Sequence, residues 1–184
     1  MSRLTTKQRR LVNEMNRISQ LLHIDFWNAE TVDPNGRTAW LEMVKRQMVL
    51  AEVVRAYTVI DEYLNVAMCH YYFGKRKSFI RLWKTKRFKI FNYHIIEEMY
   101  PIQKLRLVKA IRPIPGAISQ DIERLNALRN GLAHAFFPEN LSKTRPEWKG
   151  KGIFTLDGMT RFRDDMRVIY EYFWKLEMAG TANE

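Results

Sequence analysis

Along most of the chain the apolar residues recur every three or four positions, which is the period of an amphipathic helix. A first element runs from Thr6 to about His23, behind a Thr5-Thr6 cap, with Leu11, Met15, Ile18 and Leu22 at helical spacing. Asp33-Pro34-Asn35-Gly36 predicts a turn. Thr38 to about Phe73 contains neither Gly nor Pro and predicts one long helix, with Val49, Val53, Tyr57, Ile60, Leu64, Met68 and Tyr71 as its buried stripe and Gly74 as its stop. A basic segment, Lys75 to Lys89, follows with Phe79, Trp83 and Phe88 interleaved. A helix is expected from about Phe91 to Tyr100, with Pro101 opening its continuation through Ile111. Pro113-Ile114-Pro115-Gly116 is a rigid break, and the next helix runs from Ser119 to about Phe137 with Asp121 and Glu123 in its first turn. Glu139 to Thr155 holds Pro146, Gly150 and Gly152 and reads as a loop. Asp157 is expected to cap a last helix to about Met178, buried through Phe162, Met166, Ile169, Tyr170 and Phe173.

Composition agrees with this pattern. Hydrophobic residues make up 46% and charged residues 28% of the 184 positions, a globular balance for about one domain. Only 8 Gly and 6 Pro are present, little material for a strand-and-turn fold, so an all-α bundle of about five helices with a long second helix is expected. A single cysteine, Cys69, excludes an intrachain disulfide and any CxxC metal site; beside Ala67, Met68 and Tyr71 it reads as a small buried hydrophobe. Ser2 to Asn16 is polar and basic, unlike a secretory signal, and no window approaches about 18 apolar residues. No membrane span and a cytoplasmic setting are the expectation.

Charge changes the picture most. The net charge is +11, and between Glu62 and Glu97 there is no acid at all. Lys75, Arg76, Lys77, Arg81, Lys84, Lys86, Arg87 and Lys89 all fall in that interval. A phosphate backbone or an acidic membrane surface is the physical partner for such a field. Trp83, Phe79 and Phe88 among those cations favour single-stranded RNA, where cations follow phosphate and rings stack on bases; a solvated strip with its aromatics turned inward is the plainer alternative.

Chemistry concentrates between Ile118 and Phe136. At about 100° per residue, Ile118, Ile122, Leu125, Leu128, Leu132 and Phe136 gather on one side of a helix, and Glu123, Asn130 and His134 on the other, with small Ala127, Gly131, Ala133 and Ala135 allowing close approach. Arg129 falls inside the apolar stripe, and Asp61 lies on the stripe of the long helix. Two opposite charges can satisfy each other across a helix pair, so Asp61 is expected to contact Arg129, whether as a purely architectural pair or as an anchor for the arginine. No GxxxxGK[ST], GxGxxG, HExxH or paired Cys/His cluster occurs, so no metal or other cofactor is expected. The adjacent acids Glu97-Glu98 and Asp164-Asp165 read as solvated faces, and His23, His70 and His94 as packing or surface residues.

Leu125-Asn126-x-Leu128-Arg129-Asn130-x-Leu132-Ala133-His134 resembles the Arg-x4–6-His motif of the HEPN superfamily, in which a polar residue often follows the arginine. Arg17–His23 and Arg87–His94 fit the bare spacing too, but only the third match has Asn after Arg, sits mid-helix and faces an acid-bearing partner helix. The resemblance covers roughly Thr38 to Met178, leaving residues 1–30 as a helical addition to a HEPN-like core in a single domain. It implies a metal-independent endoribonuclease, a toxin or phage-defence effector, acting as a homodimer on RNA, with an antitoxin or nucleotidyltransferase as a further partner. His134 would be the acid/base, Arg129 the phosphate clamp, Asn130 a positioning group and Asp61 the anchor of Arg129, with Lys75 to Lys89 holding the RNA. The alternative is a non-catalytic RNA-binding or protein-binding module on the same scaffold. Five residues apart, Arg129 and His134 stand about 140° apart and about 7.5 Å along a regular helix. Either a distortion at Gly131 or a second copy paired about a two-fold axis would have to bring them to one phosphate.

Overall fold

Forty consecutive residues, Pro34–Phe73, form the first helix of the structure, α1. Proline suits a first helical turn, where its missing N–H would have had no intrahelical partner. The expected turn at Asp33-Pro34-Asn35-Gly36 is thereby corrected: Pro34, Asn35 and Gly36 already belong to the helix. At the other end Gly74 takes φ +77°, the left-handed value that ends a helix at little cost for glycine. The structure is a computed structural model and describes residues 34–74, 79–134 and 146–178. The helix expected over Thr6–His23 lies outside the described residues.

By packing the chain divides into two units, Met1–Gln47 and Met48–Glu184. Of the first, only the opening of α1 is described; there Glu42 and Arg46, one turn apart, pair at 3.9 Å.

The second unit carries the remaining elements. On α1 the stripe is buried at Val49, Val53, Ala56, Ile60, Leu64 and Met68, with Tyr57 half-buried. Tyr71 departs from the expectation: it is exposed, edge-on to Tyr72 at 5.1 Å, and Cys69 takes the inward position at that level. Two short helices follow, α2 (Phe79–Trp83) and α3 (Lys86–Phe91). Thr85 caps α3, its Oγ1 accepting from the Phe88 N–H at 3.2 Å. The helix then widens without a break into one π-type turn, Asn92–Ile96. It therefore begins five residues earlier than the pattern suggested and stops short of Tyr100. A residue before proline is pushed out of the helical region. Tyr100 is accordingly extended (φ −71°, ψ 150°), and Pro101 starts a new helix, α4 (Pro101–Ile111), rather than a continuation.

After the Pro113–Pro115 break, α5 (Gly116–His134) buries Ile118, Ile122, Leu125, Leu128 and Leu132. Phe136 lies outside the described residues. The stretch expected to be a featureless loop contains a minimal antiparallel hairpin, β1 (Glu147–Trp148) and β2 (Lys151–Gly152). Its two turn residues have φ +48° (Lys149) and +78° (Gly150), the signs of a type I′ turn, whose twist matches paired strands. Trp148 is almost fully buried, edge-on to Phe162 at 5.1 Å. The last helix, α6 (Leu156–Met178), is capped by Thr155 rather than Asp157: Thr155 Oγ1 accepts from the Gly158 N–H at 3.1 Å. Phe162, Met166, Ile169 and Phe173 of α6 join Ile60 and Leu64 of α1, Leu105 of α4 and Leu125 of α5 in one apolar core. The described residues are thus mostly helical, six helices with one small hairpin, and none of those helices is long and apolar enough to cross a membrane.

Candidate functional site

α5 divides the candidate residues between two faces. Arg129 reaches solvent despite its place in the apolar register, because a long side chain can lay its stem on a hydrophobic surface and carry the charge outward. Its guanidinium covers the ring of Tyr57 on α1, with Cζ 5.4 Å from the centroid, and its Nη1 donates to Asn130 Oδ1 at 3.2 Å. Tyr57 also donates, over a long 3.4 Å, to Asn126 Oδ1 one turn earlier on α5. Burial pushes the Tyr57 hydroxyl above the usual phenol range, although the nearby Arg129 charge works against that shift. Among the described residues no carboxylate pairs with Arg129.

Asp61, expected to hold Arg129, is committed elsewhere. Lys104 of α4 donates through Nζ to both carboxylate oxygens, at 2.8 and 2.9 Å, and Asn65 Nδ2 adds a 3.3 Å bond. The reason is burial. Lys104 is only 4% exposed and needs a counter-charge inside the protein, whereas Arg129 finds water. Nor does Gly131 distort α5, which is regular from Gly116 to His134. Arg129 and His134 therefore keep the wide angular separation of a regular helix. The side chain of His134 lies outside the described residues.

Lys75, Arg76 and Lys77 of the basic segment also lie outside. Arg81, Lys84, Lys86, Arg87 and Lys89 are all exposed, and none is ion-paired among the described residues. The interleaved aromatics separate: Phe88 is buried, while Trp83 is 55% exposed. Ile90 and Tyr93, just beyond the segment in sequence, are exposed as well. Arg87 lies over the Phe73 ring at 5.2 Å. His94 is exposed and His70 half-buried, the latter lining a cleft of about 290 Å³ with Tyr63, Phe173 and Arg112. Cys69 is buried, which pushes its thiol up to about 11.

The most interconnected polar cluster was not anticipated. Asp121, expected in the first turn of this helix, is buried and accepts from Arg124 Nη1 at 2.7 Å and Lys149 Nζ at 2.8 Å. Lys149 also pairs with Asp165 Oδ2 at 2.9 Å, and Trp148 Nε1 donates to that oxygen at 2.7 Å. Asp165 is therefore no solvated acid, unlike its neighbour Asp164, which is exposed. Burial alone would lower the Lys149 pKa, but hydrogen bonds and charges from Asp121 and Asp165 outweigh it and raise it. This cluster ties the hairpin to α5 and α6. Beside it a groove of about 310 Å³ opens between α5 and the hairpin. The sequence signal for the hairpin was a lone Lys149-Gly150 step between strands only two residues long, too short to show alternation. Comparison of the chain with protein-family models, with curated proteins and with solved structures finds no match in any of the three.

Proposed function

We propose that the protein acts on RNA, as a metal-independent endoribonuclease of HEPN type whose site is built around Arg129, Asn130 and His134. The observation that carries the reading is the state of Arg129: an exposed guanidinium, oriented by Tyr57 and Asn130, with no carboxylate among the described residues to neutralise it. A cation held in place without a counter-ion is prepared for an external anion, and a planar guanidinium fits phosphate oxygens well. The cations Arg81, Lys84, Lys86, Arg87 and Lys89, without an ion-pair partner among the described residues, and exposed Trp83 supply the chemistry expected of a single-strand path.

In this reading His134 takes the proton from a ribose 2′-hydroxyl. The 2′-oxygen attacks the adjacent phosphorus, the bond to the 5′-oxygen breaks, and that oxygen leaves with a proton returned by an imidazolium. The products are a 2′,3′-cyclic phosphate and a 5′-hydroxyl. Arg129 stabilises the charge gathering on the phosphate oxygens, and Asn130 holds the guanidinium in position. Because α5 is regular, Arg129 and His134 of one chain diverge, so a second copy contributes the complementary residue in a homodimer. The same divergence favours, as a second reading, an RNA-binding module without catalysis. The test is cleavage of a labelled RNA in EDTA by wild type, His134→Ala and Arg129→Ala. Cleavage lost in both variants supports the nuclease. Equal cleavage by all three refutes it, and salt-sensitive binding without cleavage selects the module.

A further inference from the structure

We infer that the groove between α5 and the hairpin is a base-binding subsite that seats a guanine nucleotide; its place beside the cleaved phosphate rests on the ribonuclease reading above. Its volume of about 310 Å³ lies at the lower end of small-ligand sites. Ala127, Gly131 and Pro146 bring apolar wall to the surface, with Leu128 and Trp148 buried behind them, and the charged lining groups are Arg124, Glu147 and Lys149. These three are not equally available. Lys149 is spent on Asp121 and Asp165. Among the described residues Arg124 uses only Nη1, on Asp121, and it is half-exposed, so its other N–H groups have no partner there. Glu147 is exposed, with no hydrogen bond or ion pair among the described residues.

A free carboxylate beside a partly free guanidinium selects among nucleotides. Guanine presents two adjacent donors, N1–H and the N2 amino group, which match the two oxygens of one carboxylate. Adenine and cytosine each place an acceptor beside their amino donor, and uracil flanks its single N–H with two carbonyls, so each sets a lone pair against Glu147. The nucleotide's phosphate then falls to Arg124. The wall of this groove also adjoins the chemistry: on a regular helix Ala127 and Gly131 lie within about 60° of His134 and far around from Arg129. The Asp121–Lys149–Asp165 bridge ties the hairpin side of the groove to α5 and α6.

The experiment is calorimetric titration of the full chain with GMP, AMP, CMP and UMP at constant ionic strength, on wild type, Glu147→Gln and Gly131→Leu. Leucine at 131 places its side chain in the groove. Nothing lies within 4 Å of a Cβ there, and leucine is the better helix former, so the variant is expected to keep the wild-type circular dichroism, which is checked first. GMP should bind wild type about tenfold or more tightly than the other three, the discrimination of one good bidentate pair. Glu147→Gln should bring the four within about threefold, since its amide offers one acceptor in place of two. Gly131→Leu should abolish binding. Absence of GMP binding, equal affinity for all four, or unchanged binding by Gly131→Leu each overturns the inference. Wild-type RNA cleavage in EDTA is read alongside. Guanine-selective binding without cleavage leaves the subsite standing and removes the nuclease reading. Cleavage with no guanine preference does the reverse.

Discussion

Removing Asp61 should damage the fold more than removing its partner, and restoring neutrality should repair about half of the damage. Lys104 is 4% exposed and Asp61 25%, so the ammonium depends on the carboxylate while the carboxylate retains some water. At an effective dielectric of about 20, a 2.8 Å contact corresponds to a gross attraction of about 6 kcal/mol, much of it offset by desolvation. Asp61→Ala leaves a buried charge without a partner, a loss of about 3–5 kcal/mol. For a chain of this length that is a fall in Tm of roughly 6–20 °C. Lys104→Met keeps an apolar stem of similar shape, and Asp61 retains the Asn65 amide and solvent, so the cost is about 1–2 kcal/mol. The double variant should then be more stable than Asp61→Ala alone by about 2 kcal/mol, a coupling that additive sites do not show. Urea unfolding followed by circular dichroism measures all four proteins. Equal losses in the two single variants, or simple additivity, would refute the reasoning. A second readout separates scaffold from site: at a temperature where Asp61→Ala is folded, its affinity for RNA should match wild type, because Asp61 does not hold Arg129.

Three further outcomes follow from the geometry. A Cβ at Gly158 would lie 2.1 Å from the Gly152 carbonyl oxygen, so Gly158→Ala should cost about 1–3 kcal/mol despite alanine's higher helix propensity, read as a lower urea midpoint. Lys149 has a folded-state pKa above its unfolded value of about 10.4, so its stabilisation is full below that pH and is lost as pH rises through the folded value; the gap in urea midpoint between wild type and Lys149→Met should hold at pH 7 and close in the alkaline limb. Changing Arg81, Lys86 and Lys89 together to Gln should reduce the slope of log affinity against log salt for single-stranded RNA by about 2, since each phosphate contact contributes roughly 0.7; an unchanged slope would place the RNA elsewhere.

The long helix, its stop at Gly74 and the apolar stripes of α5 and α6 were legible because each rests on many residues repeating one period. What escaped rests on single residues or on distant pairs. The pattern marked Asp61 and Arg129 as two charges on apolar stripes but gave no sign that Lys104 is a buried cation. Asp121 and Asp165 are 44 positions apart and converge only through Lys149, whose positive φ belongs to a turn with no strong turn dipeptide. Tyr57 was placed in the core stripe correctly in register, yet its service as the platform under Arg129 depends on how α1 and α5 pack.

The charges of this fold fall into two groups with different physics. Lys104 and Lys149 sit in enclosed surroundings with carboxylates at 2.8–2.9 Å, and they hold the elements together. Arg129, Arg81, Lys84, Lys86, Arg87 and Lys89 are exposed and have no carboxylate partner among the described residues. A helical surface normally places acids three or four positions from its cations, because each such pair is slightly stabilising. Between Glu62 and Glu97 there is none, so nearby cations repel one another to no structural benefit. Local fold stability does not account for that arrangement, since interspersed acids would serve it better. The polyanion proposed above would account for it, because every phosphate bound would release counter-ions and relieve the repulsion at once. Arg129 extends the argument from the surface strip to a single site: it is the cation among these that a ring and a neighbouring amide have already oriented.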